Sequence, residues 1–221
     1  MTYLKTLIIL AKSKKKGRYC IAGKNLADGN WVRPVKSSPF TSYELKNISN
    51  LTRELETLDI LKMSFKEKSP QIHQPENEQV DMDIEWSFIN KYPIDKLDKI
   101  VDGNNNDFLN IIRDINLHKD KLKKISLHNS LQLIKLTSDN EAKLFYSYDQ
   151  IRDYFKPRLK FKYKGVDYSL PITDPDIGLA YEPRESKSIR NAYITIGIGE
   201  EFNQYHYILV VMFKEITGVK P

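Results

Sequence analysis

The chain has 221 residues, 40% apolar and 29% charged, enough to bury a core in one large domain or two small ones. Its formal charge of +6 and pI near 9.1 favour anionic partners. Cys20 is the only cysteine, which excludes an intrachain disulfide and a cysteine-based zinc site; His73, His118, His128 and His206 lack metal-ligand spacing, so no cofactor or metal is expected. The apolar run "LIILA" is too short for a signal-peptide core and nothing approaches a membrane span, so a cytoplasmic protein without a membrane partner is expected. Most of the basic excess is lysine in an Asn- and Ile-rich chain. The eight arginines are the more informative cations, because a guanidinium is the better phosphate fork.

The first third reads as β. "YLKTLIILAK" is a buried-strand run, "GRYCIAGKNL" follows a lysine-rich turn, and "DGN" at 28–30 links it as a hairpin to "WVRPV" at 31–35. "TLDILKMSF" (57–65) is another strand, and "KEKSPQIHQPENEQVD" reads as loop. The period then changes. Ile94, Leu97 and Val101 fall at helical spacing before Gly103, and Phe108, Ile111, Ile112 and Ile115 line a second helix that Asn106 or Asp107 could cap. A helical connector is placed at 88–128. Beyond it "SLQLIKLT" is a strand, "YSYDQIRDYF" a short helix, and "PRLKFKYKG" with "VDYSLPIT" a hairpin turning at Gly165. "DPDIGLAYEPRESKSIR" is loop, and "NAYITIGIG" and "QYHYILVVMFKEI" close the chain as strands. The pattern is mainly β with an α connector, giving two small five-stranded barrels in tandem at 1–87 and 129–221.

"GRYCIAGKNLADGNWVRPV", "KYKGVDYSLPITDPD" and "YITIGIGEEFNQYHYILVVMF" resemble the bacterial dual OB-fold-containing domain proteins over nearly the whole chain. The last strand departs from that pattern, with Ile208 where relatives tend to carry a lysine. The resemblance implies two OB folds and nucleic-acid or nucleotide binding, with no established activity. By analogy it also points to bacterial defence or mobile-element systems.

OB folds bind single strands by pairing a cationic groove with aromatic faces. "KSKKKGR" packs Lys12, Lys14, Lys15, Lys16 and Arg18 into one turn, and Trp31 and Arg33 share a strand face as a stacking surface beside a phosphate fork. In "KPRLKFKYKG", Arg158, Lys160, Lys162 and Lys164 fall on one parity and Leu159, Phe161 and Tyr163 on the other. Such a row is either the wet side of a half-buried strand or a phosphate-binding stripe. Repulsion along it favours the stripe unless acids such as Asp167 relieve it.

An enzyme reading also exists: "PD" at 175–176 and "ESK" at 185–187 outline a PD-(D/E)xK nuclease, but the second half sits in polar loop sequence. Asp174 is a better turn cap than metal ligand. The expected function is a non-enzymatic binding module for single-stranded nucleic acid or a nucleotide. A protein–protein adaptor is the alternative from another class.

Overall fold

The first strand, β1 (Tyr3–Lys15), is thirteen residues long, and that length lets it serve two partners. Its first half, Tyr3–Ile8, pairs with β4 (Asp59–Lys68), and its second half, from Leu7 onward, pairs with β2 (Arg18–Asn25). The handover falls at a register shift between Ile9 and Ala11. In the computed structural model, residues 2–15, 17–103, 108–112, 116–150, 153–178 and 184–216 are described. They form two units, Met1–Ile100 with Leu127–Ser130, and Val101–Ser126 with Leu131–Pro221.

In the first unit, β2 turns back into β3 (Trp31–Val35), which runs parallel to β5 (Asn77–Val80). The order β1-β2-β3-β5-β4 then returns to β1, closing a five-stranded OB-like barrel. Between β3 and β4 lies α1 (Ser42–Lys46), started by a capping box in which the Glu44 amide donates to Thr41 Oγ1 and the Thr41 amide to the Glu44 carboxylate. It buries Leu45 among Leu7, Ile9, Ile21, Val32, Leu61, Met63 and Phe65. β6 (Ser87–Lys91) extends the sheet beyond β4.

The second unit has a broken first strand and is built of two four-stranded sheets. β8 (Leu131–Leu136) pairs with β13 (Ala192–Ile198), and after a 3-10 turn at Ser138–Asn140 the chain resumes in the same direction as β9 (Ala142–Asp149). Glu141, left-handed at φ 49°, makes the corner. β9 pairs with β10 (Tyr154–Tyr163), β10 with β11 (Val166–Pro171), and β13 with β14 (Tyr205–Glu215). A parallel bridge, Ile172 to Val210, joins the two sheets beside β11 and β14. The short strands β7 (Asn116–His118) and β12 (Lys187–Ile189) flank β14 and β9.

Several sequence expectations change. The stretch read as loop at 66–81 contains the end of β4 and all of β5, a barrel strand, and residues 187–189 of the later loop form β12. Residues 88–128 are not one helical connector. Residues 88–91 belong to β6, with Phe88 packed on the first core; 94–100 are a single 3-10 helix burying Leu97. Beyond, the described residues form α2 (Phe108–Ile111), β7 (Asn116–His118) and α3 (Lys119–Leu122). The proposed caps Asn106 and Asp107, and Ile115, fall outside the described residues. "YSYDQIRDYF" is the end of β9 and the start of β10, because Tyr146 and Tyr148 alternate with Phe145 and Ser147 at strand period.

Gly23 lies opposite Ile9 at the handover, and a β-carbon there would sit 2.1 Å from the Ile8 carbonyl oxygen. Gly17, in the β1–β2 turn at φ +77°, has open space around it. Gly23→Ala should therefore cost at least the roughly 1–3 kcal/mol of overpacking, and Gly17→Ala only the roughly 1–2 kcal/mol of a left-handed side chain. Urea unfolding of the two variants checks the order. A milder Gly23→Ala would show that β1 can shift to make room.

Candidate functional site

The β10–β11 hairpin turns through Lys164 (φ 48°) and Gly165 (φ +79°), a two-residue turn with both dihedrals positive. Register then sorts the side chains. Leu159 and Phe161 are buried with Leu170 and Tyr168, and the Phe161 and Tyr168 rings stack at 5.4 Å. The opposite face carries Arg158, Lys160 and Lys162. Lys164 belongs to the turn, with its ammonium 5.4 Å from the Tyr163 ring, so the stripe has three strand cations, not four.

Cross-strand neighbours decide what that face can do. Lys162 stands opposite Asp167, Lys160 opposite Ser169 and, on its other side, Lys143, and Arg158 opposite Pro171 and Phe145. Lys143, Lys160 and Lys162 are exposed, and among the described residues none of the three makes an ion pair. Two lysines directly across a ladder repel. Arg158 is half-buried, donates to the Ser169 carbonyl at 2.6 Å, and is held below the usual arginine range by burial. Lys156 is neutralised by Asp149. Lys143 was not singled out from the sequence, where nothing marks it apart from other lysines.

The first unit uses its cations differently. Val32 faces the core, as its parity required, but Trp31 is only 4% exposed, under the Lys24 ammonium at 5.4 Å. Arg33 donates through Nε to Glu76 Oε1 at 2.9 Å and through a terminal nitrogen to Ser130 Oγ at 2.9 Å. Glu76, nearly solvent-free, also accepts the Ser130 amide at 2.9 Å. The expected open stacking pair is thus a closed structural triad. Lys24 donates to the Ile100 carbonyl at 2.6 Å, and Lys12 to Glu54 and the Leu55 carbonyl, both at 2.7 Å. Lys14 is exposed, 5.8 Å from the Tyr19 ring, and Arg18 is exposed, donating to Ser38 Oγ at 3.1 Å. The side chain of Lys15 and all of Lys16 lie outside the described residues.

The nuclease outline does not assemble. Asp176 pairs with Lys214 at 2.7 Å, Lys187 pairs with Glu215, and Glu185 is exposed; no cluster of three metal-ligating side chains occurs among the described residues. Asp174 instead pins the parallel seam. It is buried and accepts the amides of Phe213 at 2.8 Å and Asp176 at 3.0 Å; desolvation raises its pKa against the pull of those amides.

Two OB-like folds in one chain, one a closed barrel and one with its first strand broken, define a tandem OB protein. The chain matches the family described as "Dual OB-containing domain" over residues 5–212, and it belongs to that family. No curated protein matches it. Among solved structures, the Ifi202 HINa domain in complex with 20-base-pair double-stranded DNA is 10% identical, with 98% of this chain and 100% of that one covered and a TM-score of 0.32. A chain described by the words "Structural mimicry for functional antagonism" is also 10% identical, with 95% and 90% covered and a TM-score of 0.26. No helix among the described residues is long and apolar enough to cross a membrane.

Arg33→Ala should destabilise by about 3–5 kcal/mol, because it leaves Glu76 buried and unpaired; denaturant unfolding reads this. Parent-like stability would mean that water reaches Glu76. Asp174 should titrate above 3.8, its ordinary value, by carboxyl NMR. With a raised folded pKa, its stabilising contribution is complete below the unfolded value and is lost as pH rises through the folded one. Asp174 therefore opposes acid unfolding. A value below 3.8 would show that the two amides outweigh desolvation.

Proposed function

We propose that the chain binds nucleic acid through the outer face of the β9-β10-β11 sheet in the second unit. With β8 and β9 counted as one broken strand, β10 and β11 are the second and third strands of an OB fold, the face on which such folds take oligonucleotides. The observation that carries the reading is Lys143 directly opposite Lys160, both exposed and, among the described residues, without an ion-pair partner. That arrangement stands at a cost to the free protein, and a phosphate backbone relieves it. From Arg158 to Lys162 the cations extend roughly 13 Å at about 3.3 Å per residue, which suits a polymer better than one nucleotide. Phe145, opposite Arg158, adds an apolar contact within the charged face. In the first unit, taken by itself, the exposed Lys14 and Arg18 are candidate phosphate contacts.

Replacing Lys160 and Lys162 by Gln should weaken binding in fluorescence anisotropy. The salt slope should fall by about 1.4 for a single strand, or by about 1.8 for a duplex. Stability should hold or rise by a few tenths of a kcal/mol, since a like-charge pair is removed. A double variant with the parent's affinity and salt slope would leave the stripe as a solvated strand face.

A further inference from the structure

The other face of the same hairpin is aromatic. Register places Tyr148 opposite Phe155 and Tyr146 opposite Pro157, on the face away from Lys160 and Lys162. Nearer the core that face is buried, but at the hairpin end Tyr148 is 51% exposed. Its ring centroid lies 5.0 Å from that of Phe155, tilted by 45°. The Tyr148 hydroxyl donates to Asp153 at 2.6 Å, which fixes the ring's orientation. Behind them the Arg184 guanidinium stands 5.3 Å from the Tyr146 ring and donates to its hydroxyl at 3.3 Å. Of the two acids at this end, Asp149 is neutralised by Lys156, while Asp153 keeps its charge and is held by the Tyr148 hydroxyl.

A half-open aromatic pair is costly to leave wet. Its flat faces suit flat ligands, and the cations along β10 select negatively charged ones. Resting on the nucleic-acid reading above, we infer that Tyr148 and Phe155 form a stacking platform for unpaired bases, so the ligand is a single strand and not a duplex. About five residues of strand separate Phe155 from Lys160, roughly 17 Å at about 3.4 Å per residue, which a single-strand footprint of about 4–16 nucleotides spans. The backbone lies along the lysines, and bases beyond them turn onto the rings. A duplex has its bases already stacked and gains nothing at this end.

The test compares a fluorescein-labelled oligothymidylate with a blunt duplex at several salt concentrations. Tyr148→Ala should weaken the single strand by about 5- to 150-fold, the range for one lost base–aromatic stack, with the salt slope unchanged because no charge is removed. Duplex affinity should not move, and Tyr148→Phe, which keeps the ring but not its bond to Asp153, should lose much less than Tyr148→Ala. Parent-like binding of oligothymidylate by Tyr148→Ala would overturn the inference, as would equal losses on both probes or a loss in Tyr148→Phe as large as that in Tyr148→Ala. If only the Lys160 and Lys162 double variant weakens binding, nucleic-acid binding stands and the platform falls. If the parent binds neither probe, both fall.

Discussion

Closing a small barrel requires one strand to belong to two sheets, and most of this structure follows from how that demand is met. In the first unit β1 stays continuous and bends, so its backbone must pass very close to β2. Only a residue without a β-carbon fits where the Ile8 carbonyl approaches, and Gly23 occupies that position. In the second unit the strand is cut into β8 and β9, and a left-handed Glu141 makes the corner. One solution needs a glycine in a strand interior, the other a break in the ladder. The break leaves β9 to pair with β10 as a hairpin, the two-faced arm that carries the proposed binding surface.

The treatment of charge follows the same division. In the first unit, Lys12, Lys24 and Arg33 end on carbonyls or buried acids, where unmet donors would cost more than an ion pair returns. Arg53 forks onto buried Asp59 at 2.7 and 2.8 Å. These cations hold the barrel together and are not available to a ligand. On β9 and β10 the opposite holds: Lys143, Lys160 and Lys162 reach solvent from a well-packed strand pair whose stability comes from Leu159, Phe161 and Tyr168 beneath them. Binding charge is thereby separated from folding charge, and the surface lysines can change without loosening the core.

Much of the fold was legible because alternation is a local signal. The β10 stripe, the turn at Gly165, the "DGN" hairpin and the last two strands all follow from period and turn chemistry within a dozen residues. What could not be read is non-local. Arg33 in "WVRPV" looks like a free cation until Glu76 and Ser130, distant in sequence, arrive beside it. The helical spacing at 94–101 is matched by a single 3-10 helix, with Leu97 as its one buried residue, because the neighbouring apolar residues found strand partners instead. The tyrosines of "YSYD" fit either period, and only the pairing of Tyr148 with Phe155 decides between them.

The two faces of the β9–β10 hairpin reinforce each other physically. A phosphate row alone would bind any polyanion, with an affinity that collapses as salt rises. Stacking alone would bind weakly, because a single base on a ring gains little against the entropy of holding the strand. In the proposed mode, with the two sets on opposite sides of one pair of strands, the cations would fix the path of the backbone while the rings at the end would take bases already held nearby. The strand pair needs no rearrangement for this, since Leu144 and Leu159 pair across it on the inner face and Leu159 is fully buried. Selectivity for unpaired bases then arises from geometry, without any side chain that reads sequence.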